Sequence, residues 1–344
     1  MKLVKTIDAV GHVLCHDITQ IIPGKSKGPV FKKGHIVTEE DISVLLSVGK
    51  ENLYIWENHA GMLHEEEAAM ILRDICIGGS DDFHASAPSE GKITIMAARE
   101  GLLKIRSDAL LAVNSLGRMM IATTNANLPV RAGDSVAGTR IIPLVIEKEA
   151  MDEAARIAGD EPILKVLPFS IKTAGIVTTG SEVASGRIQD AFGPVLKDKL
   201  REYAVDVIAQ TILGDDPEKI TDGIMAFAAK GAELILVSGG MSVDPDDRTP
   251  KAIKDTGARI ISYGAPVLPG AMFLLSYLKH DGRLIPVVGL PGCVMYAKRT
   301  IFDLVLPRIL AREELTAEDL AKYGEGGLCK NCVKCHFPNC GFGK

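Results

Sequence analysis

The chain has 344 residues, long enough for two or three domains, and its 47% hydrophobic and 24% charged content is ordinary for a soluble globular protein. A formal net charge of -5 argues against a general binder of nucleic acid or of anionic membranes. No apolar run approaches ~20 residues, so no membrane span is expected. The opening segment MKLVKTIDAVGHVLCHDITQ lacks the sustained apolar stretch of a secretory signal, so a cytoplasmic location is expected.

Residues 1–58 read as a small β-rich N-terminal module. Residues 10–19, VGHVLCHDIT, are strand-like, and residues 23–29, PGKSKGP, are a polar loop. Thr38-Glu39-Glu40-Asp41 is a helix start with Ile42, Leu45 and Leu46 on one face; Gly49 ends it and NLYIW follows as a strand. Residues 59–168 read as an α+β middle region. An amphipathic helix is expected over 62–76, a polar loop over 78–91 and a strand over 92–98. A helix follows over 110–121, strand and turn signals over 128–143, and a helix over 147–158. Pro162 and Pro168 bracket a linker.

Alternation becomes regular from Ile171. Strands are expected at 174–179, 205–213, 233–237, 258–263 and 283–288. The intervening helices run over 191–203, 217–230 and 250–256, and a long one reaches Ala311. Asp215-Asp216-Pro217 opens the second of these with carboxylates at its positive end. Repeated β–α units of this length imply an α/β fold, with a mostly parallel sheet covered by helices on both faces. Residues 313–344 remain as a cysteine-rich tail.

Chemistry concentrates in residues 238–250, directly after the apolar run ELILV. Ser238, Gly239, Gly240, Ser242 and Thr249 are joined there by Asp244, Asp246, Asp247 and Arg248. In open α/β sheets the carboxyl ends of parallel strands are the ligand rim. Glycines let backbone N–H groups approach a phosphate, and aspartates can hold a divalent cation that offsets its charge. A tight turn with a solvated acidic loop and a helix cap would use the same residues.

Three motifs in order carry a resemblance: Thr178-Thr179-Gly180-Ser181-Glu182 after the first strand, Ser238-Gly239-Gly240-Met241-Ser242 after the third, and Gly289-Leu290-Pro291-Gly292 after the fifth. Residues 171 to about 311 resemble the molybdopterin-binding domain shared by molybdopterin molybdotransferases of the gephyrin E-domain type and molybdopterin adenylyltransferases. The segments AVGHVLCHDI and FKKGHIVTEEDISVLLSVGKENLYI are also similar to the molybdotransferase type. The implied fold is a three-layer, mostly parallel sheet with helices on both faces, beside an N-terminal β-rich α+β region. The implied ligand is molybdopterin or its adenylate, a pterin with a dithiolene and a terminal phosphate. The implied reaction inserts molybdate and releases AMP, with Mg²⁺. Adenylyl transfer from ATP is a weaker alternative on the same domain.

Carried over by position, Thr179, Gly180, Ser181, Glu182, Ser238, Gly239, Gly240, Ser242 and Thr249 would bind ligand, as would Pro269, Gly270, Gly289, Pro291, Gly292 and Cys293. Asp190 and Asp247 match the acidic positions and would hold Mg²⁺; a helix cap is the other reading of each. Departures bear on the activity. The loop Val267-Leu268-Pro269-Gly270-Ala271-Met272 lacks the family's lysines, and molybdate is a dianion that needs donors or positive charge. Cys293-Val294 stands where the family has Asn-Pro, and Phe192 where it has Asn. A non-catalytic carrier or sensor of the cofactor is therefore the alternative to the enzyme. A molybdenum enzyme as client and a homodimer are further expectations of the resemblance; no nucleic acid or membrane partner is expected.

Cys293 follows a Pro-Gly turn at an expected helix start, which would lower a thiol pKa; a small buried apolar role is the alternative. Cys15, Cys76 and Cys293 are scattered and read as free thiols. Cys329, Cys332, Cys335 and Cys340 crowd the last sixteen residues, with His336 beside them. That spacing suits Zn²⁺ or an iron–sulfur cluster, and the two are not separable from spacing.

Overall fold

The computed structural model describes residues 2–22, 24, 26–55, 61–242 and 247–344. Two units are found. One comprises Met1–Arg99, Ile105–Thr124 and Ala132–Lys165; the other Glu100–Lys104, Asn125–Arg131 and Val166–Lys344.

The first unit begins with strands Lys2–Lys5 and Asn52–Ile55, paired antiparallel, around a small core of Ala9, Leu14, Ile18, Val37, Leu45 and Leu53. Asp41 accepts the Thr38 N–H at 2.9 Å and opens a helix to Ser47. Its apolar face differs from the expected one: Leu45 is fully buried but Leu46 is 42% exposed. The expected loop at 23–29 is in part a strand, Ser26–Phe31, paired with Ile18–Ile22; Pro23 and Lys25 lie outside the described residues. Further on, a four-stranded antiparallel sheet runs in the order Phe83–Ala85, Lys92–Ala97, Ser135–Ile141, Met119–Thr123. Helix Glu65–Ile77 packs on it and on helix Lys148–Ala158. The helix expected over 110–121 is shorter. It spans Ser107–Asn114, a turn at Gly117 (φ 74°) stops it, and Met119–Thr123 is a strand.

The second unit holds the α/β domain. Its strands are β1 (Thr173–Thr179), β2 (Asp206–Leu213), β3 (Leu234–Ser238), β4 (Arg259–Tyr263), β5 (Leu274–His280) and β6 (Arg283–Leu290). Their order in the sheet is β2-β1-β3-β6-β5-β4. β2, β1, β3 and β6 are mutually parallel; β5 runs antiparallel to both β6 and β4. The helices are α1 (Phe192–Arg201), α2 (Pro217–Ala229), α3 (Thr249–Asp255), α4 (Ile301–Leu310) and α5 (Ala317–Ala321).

Strand side chains alternate between two cores, as a period of two requires. Ile176, Leu234, Leu236, Leu275 and Val288 join the core built with α1 and α4. Val177, Ile235, Val237, Leu274 and Val287 join the core built with α2 and α3. Helices therefore cover both faces, and buried strands read as continuous apolar runs. β5 was not among the expected strands. It forms a hairpin with β6 through Asp281-Gly282, both at positive φ (48° and 73°), the backbone of a tight two-residue turn. The expected long helix into Ala311 is two elements: a 3₁₀ turn, Gly292–Met295, and α4. Thr300 and Asp303 form a capping box that starts α4 afresh.

Candidate functional site

β1, β3 and β6 are adjacent and parallel, so the turns that follow them share one edge of the sheet. β4 ends and β5 begins at the same edge, which brings the connection carrying Pro269 and Gly270 there too.

The turn after β3 is the most tightly built. Gly239 has φ 93° and Gly240 φ 55°, conformations that L side chains rarely adopt. A Cβ on Gly239 would lie 2.2 Å from the Thr179 carbonyl oxygen, and one on Gly240 2.8 Å from Thr249 Oγ1. Thr249 Oγ1 donates to the Gly239 carbonyl at 2.9 Å and lies 3.2 Å from Thr179 Oγ1. Thr179 and Thr249 are both buried, so they brace the turn from beneath. Downstream, the Tyr263 hydroxyl donates to the carbonyls of Met241 (2.9 Å) and Ser242 (3.2 Å). Burial, and then the charge of Asp247, push the Tyr263 pKa up. Asp247 is half-buried, and Asp244 and Asp246 lie outside the described residues.

The turn after β1 is held by groups at the end of β2 and just beyond it. Gly180 donates its N–H to Leu213 O at 3.0 Å, and residues 181–184 form one helical turn. Asp215 accepts both the N–H and the hydroxyl of Ser181, each at 2.8 Å. Glu182 is exposed.

Asp190 stands one residue before Ala191, the N-cap residue of α1, and its carboxylate takes up the first N–H groups of the helix. Its Oδ1 accepts the N–H groups of Phe192 (2.9 Å) and Gly193 (3.1 Å). Its Oδ2 accepts from Gly193 (3.1 Å) and from Gln210 Nε2 (2.6 Å). Gln210 Nε2 also donates to Thr178 Oγ1 at 3.0 Å, and Ser238 Oγ lies 3.5 Å beyond it. A polar relay thus crosses β2, β1 and β3 below the rim. Gly193 is required by closeness: a Cβ there would sit 2.4 Å from Asp190 Oδ2 and from the Gln210 amide.

On β6, the Met241 side chain fills the space that a Cβ on Gly289 would take, at 2.6 Å. Pro291 is buried and Gly292 exposed. Cys293 lies in the 3₁₀ turn rather than at the start of α4, and burial pushes its thiol pKa up. The expectation of an activated thiol is corrected accordingly: the helix that was to lower the pKa begins only at Ile301. Pro269 O accepts the Ile301 N–H at 3.2 Å, and a Cβ on Gly270 would meet Ile301 at 2.5 Å.

Among the described residues, no group of three or more His, Cys, Asp or Glu side chains could hold a metal ion. The Mg²⁺ expectation at Asp190 and Asp247 is thus not supported. Three donors, the N–H groups of Phe192 and Gly193 and the Gln210 amide, make four contacts that use both oxygens of Asp190, so Asp190 does not fit the ion; residues 243–246, beside Asp247, lie outside the described residues. Nor do Cys329, Cys332, Cys335 and Cys340 converge on one ion. No described helix is long and apolar enough to cross a membrane.

Sequence reasoning assigned no site role to Thr178, Gln210, Asp215 or Tyr263, although Thr178 stands in the first motif and Asp215 at an expected helix start. Gln210 carried a usable signal: an amide inside an apolar strand must find partners if it is buried.

Comparison with known proteins bears on this domain. Residues 175–311 match the family described as "Probable molybdopterin binding domain", as the motif resemblance implied. Residues 3–57 match a family described as a domain of unknown function (DUF8806). A CinA-like protein of Mycobacterium avium is 42% identical over 87 residues, 25% of this chain and 20% of the relative. A molybdenum cofactor biosynthesis bifunctional protein of Synechococcus elongatus is 38% identical over 85 residues, 25% of this chain and 27% of the relative. The chain therefore spans about a quarter or less of the length of these curated relatives. Among solved structures, the tungsten cofactor synthesizing protein MoaB from Pyrococcus furiosus superposes with a TM-score of 0.35 at 17% identity. That alignment covers 42% of this chain and 98% of the other. The molybdopterin biosynthesis enzyme MoaB from Thermus thermophilus gives 0.34 at 22% identity, over 43% and 97%.

Proposed function

We propose, from a chain whose residues 175–311 match a molybdopterin-binding domain, that it binds molybdopterin or adenylated molybdopterin in molybdenum cofactor biosynthesis. The observation that carries this reading is the Gly239–Gly240 turn, braced by Thr179 and Thr249 and flanked by the turns of β1 and β6 on one sheet edge. A terminal phosphate needs closely approaching N–H donors. Ser181 already gives its N–H to Asp215, so the Gly239–Ser242 turn is the donor set we assign to the phosphate. Asp215 would also repel an anion placed over the first turn, which moves the phosphate toward β3. In this reading residues 169–312 are the ligand-binding domain, with 1–58, 59–168 and 313–344 as its appendages.

Two activities follow. In the enzyme reading, molybdate enters the dithiolene and AMP leaves. Asp247 is then the acidic residue at the ligand: it is half-buried, and its charge acts on Tyr263, whose hydroxyl donates to Ser242 O. In the carrier reading the cofactor is held without reaction. The engagement of Asp190 as a cap, with a loop at 267–272 that holds no cation for molybdate, favours the carrier.

One assay separates them. Purified protein is mixed with adenylated molybdopterin and molybdate, with and without Mg²⁺, and AMP is quantified beside ligand binding. AMP release lost in Asp247→Ala supports the enzyme. Tight binding without release supports the carrier, and absence of binding removes the pterin reading altogether. A parallel mixture of molybdopterin and ATP tests adenylyl transfer.

A further inference from the structure

Residues 329–341 form neither helix nor strand, and most of their side chains are exposed. Such a segment has no core of its own, and short coreless segments are held in natural proteins by a metal or by disulfides. Its cysteines are all free thiols. Yet its base is clamped on both sides. The Cys329 N–H donates to Leu268 O at 2.8 Å, and the Gly343 N–H to Gly326 O at 2.9 Å. Phe342 is buried in the main core, and Phe337 packs against it edge-on at 6.3 Å between centroids.

Inside this closed loop, Cys329, Cys332, Cys335 and Cys340 all line one cavity of about 390 Å³, together with Lys298 and Arg299. The loop is shaped around that space by specific bonds. Lys298 Nζ donates to Val333 O at 2.5 Å, which holds the Cys332–Cys335 stretch over the cavity. The Arg299 guanidinium lies 5.2 Å from the Phe337 ring centre. The Asn339 N–H donates to His336 O at 2.6 Å, a turn that carries the chain back to Cys340.

A single tetrahedral zinc holds each sulfur at ~2.3 Å, which would draw the four sulfurs to within about 4 Å of one another. The thiols are not gathered in that way. They line one cavity instead, and its volume of about 390 Å³ has room for a body larger than one ion. Of the two cations on the wall, Arg299 is already paired with Glu202 (3.0 Å) and Asp303 (2.8 Å), so Lys298 is the one that opposes the negative charge four thiolates bring. The spacing C-x₂-C-x₂-C places three thiols on one short stretch of chain, able to ligate three irons of a cubane, one each, and Cys340 supplies the ligand to the fourth.

We propose that the Cys329, Cys332, Cys335 and Cys340 thiols ligate one [4Fe–4S] cluster in this cavity. On ligation each thiol loses its proton and its sulfur displaces one external thiolate from an iron of a preassembled [4Fe–4S]²⁺ cluster; the displaced thiolate takes up that proton, so there is no net oxidation or reduction. The site does not depend on pterin binding, so either reading can fail alone.

The test is anaerobic reconstitution of the full chain with equal amounts of ferrous and ferric iron and with sulfide, which supplies the mixed-valence cluster without a further oxidant. The readouts are iron and acid-labile sulfide per chain, and the electron paramagnetic resonance signal after dithionite reduction. Expected are about four irons and four sulfides per chain. In the double variant Cys332→Ser/Cys335→Ser this falls to background, while Cys76→Ser retains the full amount. Cys332 and Cys335 are exposed, so the serines leave the packing intact, and unchanged circular dichroism checks this. A stoichiometry of two irons and two sulfides overturns the proposal. So does iron content undiminished in the double variant, or preferential uptake of one zinc that excludes iron.

Discussion

Thr179 Oγ1 and Thr249 Oγ1 lie 3.2 Å apart, both buried, although seventy residues of chain separate them. The pair ties the end of β1 to the start of α3 and, through the bond from Thr249 to the Gly239 carbonyl, fixes the glycine turn between them. The rim is thus a set of turns whose geometry is held from below.

That arrangement predicts a steep cost for any side chain in the turn. Gly239→Ala combines a positive φ with a 2.2 Å clash against Thr179 O, and should cost about 2–4 kcal/mol in denaturant unfolding and abolish pterin binding. Gly231→Ala has a similar φ of 90° but meets nothing within 4 Å, so about 1 kcal/mol and unchanged binding are expected. Equal losses for the two variants would show that the turn is not braced as described.

Thr249→Val keeps the volume and removes the hydroxyl that donates to Gly239 O. The carbonyl loses a buried partner, so stability should fall by about 1–3 kcal/mol, with weaker ligand binding. Binding measured by calorimetry that matches the parent protein would place the phosphate away from this turn.

Asp190 is predicted to act as a cap rather than as an Mg²⁺ ligand. Asp190→Ala should lower stability by about 1 kcal/mol, as loss of a helix cap does. Added Mg²⁺ should leave the melting temperature of the parent protein unmoved. A melting temperature that rises with Mg²⁺ in the parent but not in Asp190→Asn would restore the metal role.

Asp319 offers a test by pH. Burial alone would raise its pKa, but hydrogen bonds from Thr316 and Arg308 outweigh that and hold it at about 2. Its folded pKa lies below the unfolded value near 3.8, so its contribution is complete above that value and is lost as pH falls through about 2. Asp319→Asn should therefore be less stable than the parent by about 1–2 kcal/mol at pH 6. The gap should close between pH 4 and about pH 2 in urea titrations. A gap that stays constant over this range would mean the carboxylate charge contributes nothing.

Thiol chemistry provides the last check. Burial raises the Cys293 pKa, and raises that of Cys76 to about 12, whereas Cys332 and Cys335 are exposed. In metal-free protein at neutral pH, iodoacetamide should modify Cys332 and Cys335 well before Cys293, with Cys76 last, as mass spectrometry of the peptides would show. Early modification of Cys293 would revive the activated thiol.

Much of the α/β domain was legible because its signals are local. Buried parallel strands appear as short unbroken apolar runs, such as 233–237, and glycines stand where those runs end. Helix starts were visible where the cap lies within three residues, as at Asp216, which accepts the Glu218 N–H at 3.1 Å. β5 was harder because Leu274–His280 mixes Ser, Tyr and Lys into an apolar run, and only its pairing with β6 settles it as strand. The break before α4 depended on the Thr300–Asp303 box inside a stretch that otherwise continues as helix by composition.

The chain order of residues by itself determined which turns follow buried strands, and that these turns carry glycine, hydroxyl and carboxylate groups. Only the tertiary structure decided how those groups are used. Asp190 meets Gln210 twenty residues away, Asp215 meets Ser181 across thirty-four, and four thiols share one cavity instead of one point. The reason is physical: periodicity and caps are set by neighbours a few residues apart, whereas a carboxylate's remaining lone pairs depend on which donors packing brings to it from elsewhere in the chain.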